Sequence, residues 1–387
     1  MSFDDLDIQA LRRRTGAKWA RCEDDVLPAW VADMDYPVAE PIRRVLQTMI
    51  ADSDLGYATG PDVDGVQTAF ARRMHERFGW HVDPARVEVL TDVVQGMHLA
   101  IQAFTAATDA IVTPVPIYPP FLEAVHVTGR RPVWKRYVRG GSGYEIDFER
   151  LRAEMVPETR LLLLCNPHNP TGRVLTRDEL MKLAELAVER DLLVLSDEIH
   201  AELTYTGHQH IPLAMLGPEI AARTITLTSA TKAFNMAGLR CSFAAFGSEE
   251  PHRQFRRLHH HHARGGIGSL GMAATVAAWT QCQDWQDEVM RYLQGNRDLV
   301  ADHVARSWPA VAHVAPQATY LSWLDLGALQ LEGSPRDLLL EKCRVMLADG
   351  EAFGEGGRGC VRLNFATSRP ILREILGRMD TVLRNPA

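Results

Sequence analysis

Lys232 is the residue whose type and place in the sequence best suit covalent chemistry. It closes the segment Ser229-Ala-Thr-Lys232, which follows an apolar run predicted to form a buried strand. A lysine withdrawn from water loses much of its preference for the ammonium form, so it can form an imine at neutral pH. The other four lysines fall in a polar terminus, a basic stretch or helix-surface patterns: Lys18, Lys135, Lys182 and Lys342.

Two clusters of polar residues follow other predicted strands. Asn166–Gly172 comes directly after the apolar run Arg160–Cys165, and Asp197–His200 comes directly after the run Leu192–Ser196. In open parallel sheets, ligands bind beyond the carboxyl ends of the strands. We therefore expect both clusters to converge with Lys232 on one site.

These residue types suit an electron-sink cofactor that carries a phosphate, which predicts pyridoxal 5′-phosphate (PLP) as a Schiff base on Lys232. Asp197 is expected to hold a proton on the pyridine nitrogen, and Asn169 to donate to the O3′ oxygen of the ring. His200 could hydrogen-bond the same oxygen or orient Asp197. Structural readings stay open, because Asp197 could cap a turn, Asn-Pro-Thr-Gly forms good turns, and a histidine after a strand is often structural.

The phosphate and the substrate each need cationic or N–H donors. Ser229 and Arg240 are expected to bind the phosphate, since arginine offers a fork of two donors. Arg362, in a predicted strand near the carboxyl end, is then free to pair with the α-carboxylate of an amino acid, although it could also form a surface ion pair. Backbone N–H groups at the start of a predicted helix would add an anion seat, namely those of Val93, Val94 and Gln95.

Strands and helices alternate through the middle of the chain. Asp178–Arg190 has apolar residues at helical spacing behind a capping box formed by Thr176 and Glu179. Such alternation predicts an α/β fold with a mostly parallel sheet covered by helices on both faces. The runs predicted as buried strands are Arg86–Leu90, Ala110–Thr113, Arg160–Cys165, Leu192–Ser196 and Thr224–Thr228.

The pattern changes after about residue 280. Helices are predicted at Trp285–Trp308, Pro335–Ala348 and Arg369–Leu383, with strands at Tyr320–Leu326 and Cys360–Phe365. This mixture predicts a smaller α+β domain. We expect an amino-terminal segment at 1–40, a large cofactor-binding domain at 41–283 and a small carboxyl-terminal domain at 284–387.

Composition limits the possible functions. The 387 residues are 46% hydrophobic and 24% charged, as in ordinary globular proteins, and the length suggests two domains. The net charge of −7, without a basic patch, argues against nucleic-acid binding. Six scattered cysteines and an acidic amino terminus predict reduced thiols and a cytoplasmic location. No apolar run approaches the roughly 20 residues that span a bilayer, so no membrane partner is expected.

The motifs Asn-Pro-x-Asn-Pro-Thr-Gly, Asp-x-x-His and Ser-x-x-Lys, in this order, resemble the class I/II aminotransferase-like group of fold-type I PLP enzymes. The resemblance covers nearly the whole chain and implies the fold-type I PLP-dependent transferase fold. More narrowly, Leu27–Pro37 (LPAWVADMDYP) resembles a segment typical of the MalY/PatB-type cystathionine β-lyases, which are C–S lyases. The same holds for Gly56-Tyr57, Ser196–His200, Lys232–Gly238 and Val361–Asn364.

The resemblance implies further residue roles. Tyr118 matches an aromatic residue that stacks on the cofactor ring. Tyr57 matches a tyrosine that reaches the phosphate of the partner subunit, which implies a homodimer with shared active sites. Asn166 matches a position near the substrate carboxylate, and Asp33 and Met34 match the segment that lines the substrate entrance.

Some features depart from the lyase pattern. Thr91–His98 lacks the usual small or hydroxyl residue followed by an aromatic, so the phosphate seat would depend on backbone donors. Arg240 is common in aminotransferases, whereas the lyases often carry a neutral residue there. The run His259–His262 would bring only its first and last histidines onto one helical face. A substrate contact and metal binding are both hypotheses for this run, and no metal site is expected.

The resemblance implies α,β-elimination from a cysteine S-conjugate such as cystathionine, which yields a thiol, pyruvate and ammonia. In this reaction Lys232 would remove the Cα proton while Arg362 holds the substrate carboxylate. Transamination, or decarboxylating or oxidative deamination of an S-conjugated cysteine in a specialised biosynthetic pathway, are the alternatives. A PLP-sensing regulatory module is a further alternative. It would need a fused DNA-binding segment, and the first 40 residues are short and acidic.

Overall fold

The computed structural model describes residues 3–140, 143–260 and 264–384, which form two main sheets and a short hairpin surrounded by helices. The strands are β1 (Leu27–Ala29), β2 (Val87–Leu90), β3 (Ala110–Val115), β4 (Arg131–Arg136), β5 (Val138–Gly140), β6 (Gly143–Glu145), β7 (Thr159–Cys165), β8 (Leu193–Asp197), β9 (Thr224–Thr228), β10 (Ser242–Phe246), β11 (Ala312–His313), β12 (Leu321–Asp325), β13 (Val345–Asp349) and β14 (Cys360–Asn364).

Helices cover these sheets and begin where the sequence supplies caps. The capping box of Thr176 and Glu179 is formed and starts the helix after β7, as predicted. The helices are α1 (Ile8–Arg12), α2 (Ala17–Ala20), α3 (Glu40–Ala51), α4 (Gly60–Phe78), α5 (Val93–Phe104), α6 (Pro119–Val127), α7 (Phe148–Glu154), α8 (Arg177–Glu189), α9 (Pro218–Ala222), α10 (Glu249–Leu258), α11 (Ser269–Gln281), α12 (Gln283–Ser307), α13 (Pro335–Cys343) and α14 (Arg369–Leu383).

The larger sheet has seven strands in the order β2-β10-β9-β8-β7-β3-β4. All neighbouring pairs are parallel except the two that involve β10, which is antiparallel to β2 and β9. The five strands predicted from apolar runs are all present, with ends within two residues of the expected positions. The predicted α/β fold with a mostly parallel sheet is therefore confirmed. The antiparallel strand β10 escaped prediction, because its short run Ser-Phe-Ala-Ala-Phe carries no signal of strand direction.

The smaller sheet has the order β1-β13-β14-β12-β11. Strand β1, from the amino-terminal segment, pairs in parallel with β13, and the other pairs are antiparallel. This pairing brings the residues that follow β1 against the carboxyl-terminal part of the chain. The segment after Ala29 thereby lies between the two sheets, where the site is found.

The predicted helix Pro335–Ala348 is wrong in its last part. The helix ends at Cys343, and Arg344 takes a left-handed conformation with φ of 53°. Val345–Asp349 then form β13, which pairs with β1 and β14. Pairing with strands that are distant in sequence outweighs the local helical pattern, and a single-sequence reading does not detect it.

Lys18 is not a surface residue of a polar terminus, as the sequence suggested. It is buried, and its Nζ lies 2.8 Å from Asp35 Oδ2. Trp19 Nε1 donates to the other oxygen of the same carboxylate at 2.7 Å. A buried lysine thus also occurs away from Lys232, and the carboxylate of Asp35 balances its charge.

The first histidine of the run, His259, does not continue the preceding helix. Helix α10 ends at Leu258, and His259 has non-helical backbone angles and donates from Nε2 to Leu99 O at 2.8 Å. The predicted shared helical face is therefore not formed at His259, while His261 and His262 lie outside the described residues. Among the described residues, no group of three or more metal-ligating side chains is found.

Two remaining expectations concern cysteines and membrane spans. All six cysteines are reduced thiols, five of them buried. Across residues 3–140, 143–260 and 264–384, none of the helices has the length and apolar character required to cross a membrane.

Replacing Asp35 by Asn should strongly destabilise the fold, because the buried Lys18 ammonium would lose its carboxylate. We expect the free energy of unfolding to fall by about 3–5 kcal/mol in chemical denaturation. The exposed pair Arg72–Glu76 gives the control, since Glu76→Gln should leave the free energy of unfolding nearly unchanged. Equal stability of the two variants would contradict the importance of the buried pair.

Candidate active site

A cavity of about 420 Å³ lies at the carboxyl ends of β7, β8 and β9. These strand ends supply its walls because the strands are parallel neighbours in the sheet. The structure therefore brings together most of the residues predicted to bind the cofactor. The predicted residues that line the cavity are Val93, Val94, Tyr118, Asn169, Asp197, His200, Lys232 and Arg240.

Lys232 is partly buried at one wall of this cavity. Its Nζ donates to Ala32 O at 2.7 Å and lies 3.9 Å from Asp33 Oδ1. Burial lowers the pKa of Lys232, and the charge of Asp33 opposes that shift. The amine is thus closer to its neutral, nucleophilic form than an exposed lysine, as an imine-forming residue requires.

Asp197 ends β8 and His200 follows shortly after it, and burial shifts the pKa of both side chains. Burial raises the pKa of Asp197 to about 7, although its Oδ1 accepts a hydrogen bond from Ile199 N at 3.0 Å. Burial lowers the pKa of His200 to about 3, so the ring is neutral, and its Nδ1 has no hydrogen-bond partner. A buried carboxyl with a raised pKa is stabilised as a carboxylate by a cation placed beside it, which is what a protonated pyridine nitrogen provides.

Arg362, on β14, is a buried cation next to this cavity. Its Nη1 donates to Asn169 Oδ1 and its Nη2 to Trp30 O, both at 2.8 Å, while Nε has no partner. Burial lowers its pKa to about 10, so the guanidinium stays charged at neutral pH. It forms no ion pair with a carboxylate of the described residues. A buried, unneutralised guanidinium is a binding site for an anion.

The amino-terminal segment closes the space between Lys232 and the smaller sheet. Asn364 Nδ2 donates to Val31 O at 2.6 Å and to Asp33 O at 2.7 Å. Tyr320 donates its hydroxyl to Ala32 O at 2.9 Å, the same carbonyl that accepts from Lys232. These bonds fix the segment by its backbone, independently of its side chains.

The predicted phosphate seat at the start of α5 contains a carboxylate. Asp92 is the N-cap of this helix, and its Oδ1 accepts from Gln95 N at 2.7 Å. Its Oδ2 forms an ion pair with Arg240. Two of the donors predicted for the phosphate, Gln95 N–H and Arg240, therefore have an anionic partner already, supplied by a residue that the sequence analysis did not assign to the site.

Three residues predicted for the site point elsewhere. Ser229 donates its hydroxyl to Cys241 O at 2.6 Å and does not line the cavity. Asn166 Oδ1 accepts from Leu175 N at 3.0 Å, which holds the turn after β7. Tyr57 is fully exposed, with no contact to the cavity of its own chain. Their proposed roles stay predictions.

Asp33 and Met34 line a second cavity, of about 300 Å³, beside the amino-terminal segment. Ala237 lines both cavities, so the two are neighbours. Besides Ala237, residues of the first cavity that the sequence analysis missed are Ala32, Asp92, Cys165, Ile199 and Thr231. Thr231, directly before Lys232, and Asp92, an acidic residue before a helical run, carried a positional signal. No sequence pattern indicated that the backbone of Ala32 contributes to the site.

The comparisons with known proteins agree with this geometry. A family model described as aminotransferase class I and II matches residues 31–379. The chain belongs to the aminotransferase class I and II family. The match includes the strand ends that line the cavity and the segment that begins at Val31, so the family resemblance seen in the sequence is confirmed.

Individual members of this family are similar over almost the whole chain. A cystathionine β-lyase of Corynebacterium glutamicum is 35% identical over 97% of this chain and 99% of the relative. Cystathionine β-lyase PatB of Bacillus subtilis is 35% identical over 93% of each chain. The crystal structure of a PLP-bound C–S lyase from Staphylococcus hominis superposes with a TM-score of 0.92 at 28% identity, covering all of both chains.

The residues of this aminotransferase class I and II site fit PLP. Asp197 and Lys232 offer a carboxyl and an amine whose pKa values burial shifts toward each other. The unpartnered His200 Nδ1 is a buried polar atom free to bond to a ligand. Asn169 uses Oδ1 for Arg362, which leaves its amide nitrogen as a donor.

Replacing Asp197 by Asn should change how the stability of the cofactor-free protein depends on pH. Because the folded-state pKa of about 7 exceeds the ordinary value near 4, wild type should lose stability as the pH rises through this window. In urea unfolding, we expect the free energy of unfolding of wild type to fall by roughly 2–4 kcal/mol across this window. Asp197→Asn should show no such fall. The exposed residue Asp54 gives the control, since Asp54→Asn should keep the wild-type slope. If the stability of Asp197→Asn depends on pH as steeply as that of wild type, the raised pKa does not belong to Asp197.

Replacing Asp92 by Asn should tighten PLP binding. Asparagine keeps the oxygen that caps Gln95 N but removes a negative charge beside the phosphate seat, so the dissociation constant should fall roughly 3–10-fold. Arg240→Gln should raise it. Absorbance titration of cofactor-free protein measures both changes, with Asp54→Asn as the control. Weaker binding by Asp92→Asn would show that its charge helps to build the seat.

Proposed function

We propose that this protein is a PLP-dependent C–S β-lyase that cleaves a cystathionine-like cysteine S-conjugate into a thiol, pyruvate and ammonia. The observation that carries the amino-acid substrate is the buried guanidinium of Arg362 beside the cavity that holds Lys232 and Asp197. Carbon–sulfur cleavage is supported by the relatives named cystathionine β-lyase and by the C–S lyase of the same fold.

In this proposal each residue acts on a defined group of the substrate or cofactor. PLP, when bound, supplies an electron sink for the electron pair left on Cα. Arg362 binds the α-carboxylate, with Asn169 fixing the position of its guanidinium. Asp197 holds the proton on the ring nitrogen, and Tyr118 packs against the ring.

Lys232, which the substrate amine would displace from PLP, is the general base of the proposed reaction. It removes the proton from Cα, the Cβ–S bond then breaks with its electron pair on sulfur, and the thiolate takes up a proton. Water hydrolyses the three-carbon remainder to pyruvate and ammonia, so no oxidant or reductant is needed. A positioned base contributes about 10²–10⁴-fold, and the lowered pKa of Lys232 keeps part of it in the basic form.

Assembly, domains and location complete the proposal. The fully exposed Tyr57 supports a homodimer in which this tyrosine reaches the partner's phosphate. The amino-terminal segment 1–40, the large unit 41–283 and the small unit 284–387 are proposed as the domains, supported by the two separate sheets. Free thiols are typical of reducing compartments, which supports a cytoplasmic location.

Purified holoprotein should convert L-cystathionine to equal amounts of pyruvate, ammonia and homocysteine. Arg362→Gln should lower kcat/KM by about 10²–10³-fold, because a buried partner of the substrate carboxylate is lost. The exposed Arg358 gives a matched control, and Arg358→Gln should keep wild-type activity. Coupled pyruvate and thiol assays measure the rates, and the PLP absorbance band reports whether each variant stays loaded.

Two outcomes would contradict this function. If no S-alkyl cysteine releases pyruvate while a 2-oxo acid is aminated, the protein is an aminotransferase. If Arg362→Gln keeps its PLP and its wild-type kcat/KM, Arg362 does not hold the substrate carboxylate.

A further inference from the structure

The second cavity begins one side chain away from the reacting amine. Asp33 lines it, and Asp33 Oδ1 lies 3.9 Å from Lys232 Nζ. Ala237 belongs to both cavities. A sulfur substituent that extends past Asp33 from a substrate held at Lys232 and Arg362 would enter the second cavity.

The walls of the second cavity suit a thioether chain. Met34, Val38, Met236 and Ala237 supply apolar surface. Asn235 stiffens the wall, since its Oδ1 accepts from Met34 N at 3.1 Å and its Nδ2 donates to Tyr36 O at 2.7 Å. Methionine side chains adapt to ligands of irregular shape, which favours sulfur-containing alkyl groups here.

The charged residues of the second cavity differ in whether they already have a partner of opposite charge. Lys18 and Asp35 are buried and neutralise each other at 2.8 Å. Arg14, in the turn between α1 and α2, is exposed, and its Nη2 donates only to the backbone oxygen Asp35 O, at 3.0 Å. It forms no ion pair with a carboxylate of the described residues. Arg14 is thus the cation of this cavity that is free to bind an anion.

We propose that Arg14 binds a terminal carboxylate on the sulfur substituent of the substrate, so that conjugates with an acidic leaving group are preferred over neutral ones. This inference rests on the proposed lyase function and adds a specificity residue to it. A guanidinium binds carboxylate through two parallel hydrogen bonds, which distinguishes it from an isosteric alkyl end. Asp33, which lines the same cavity and lies 3.9 Å from Lys232 Nζ, adds a repulsive charge that keeps the carboxylate away from Lys232.

A pair of substrates that differ only at the end of the sulfur substituent tests the inference. S-(2-carboxyethyl)-L-cysteine and S-propyl-L-cysteine differ in the carboxylate that replaces a methyl group. The wild-type holoenzyme should cleave the acidic conjugate with the higher kcat/KM, and Arg14→Gln should reduce this preference about tenfold. The matched control is Arg13→Gln, because the neighbouring Arg13 is exposed and lies 3.9 Å from Asp7. This control should keep the preference.

Binding without turnover separates this inference from the lyase function. In Lys232→Ala, calorimetry should show tighter binding of the acidic conjugate than of the propyl conjugate, and the added Arg14→Gln substitution should remove the difference. An unchanged difference would overturn the role of Arg14. If neither conjugate yields pyruvate with the holoenzyme, the lyase function fails, and the calorimetric difference still decides whether Arg14 binds the carboxylate.

Discussion

Arg362 is a positive charge buried where three parts of the chain meet. It extends from β14 of the smaller sheet, donates to Asn169 in the turn after β7, and donates to Trp30 O in the amino-terminal segment. A buried guanidinium must be surrounded by acceptors, and here they come from different parts of the chain. The arrangement of the two sheets around the cavity depends on this requirement. The remaining unpartnered Nε leaves the cation incompletely satisfied, which prepares it for an anionic ligand.

The amino-terminal segment depends on the same arrangement. Its carbonyl oxygens accept from Arg362, Asn364, Tyr320 and Lys232, so residues 30–33 are held by their backbone between the two sheets. Ala32 of this segment lines the cavity of Lys232, and Asp33 lines the neighbouring cavity of Arg14. One short stretch of chain thus contacts the amine of Lys232 and contributes to both cavities.

The residues that follow parallel strands could be predicted from the sequence. Asp197, Asn169 and Lys232 each follow a run of apolar residues, and the geometry of a parallel sheet brings such positions together. Contacts between distant segments could not be predicted in this way. The Lys18–Asp35 pair, the strand Val345–Asp349 and the pairing of β1 with β13 depend on partners that no local pattern identifies. Ser229 and Asn166 have suitable types and positions, but their side chains hydrogen-bond to the protein itself.

The central claim is that Lys232 carries PLP, and its covalent labelling tests this claim most directly. Borohydride reduction of the holoprotein fixes the cofactor to its lysine, and peptide mass spectrometry then locates the added mass. We predict the label on Lys232, with Lys18 unlabelled although it too is buried. A label on any of the other four lysines, or none on the loaded protein, would contradict the account.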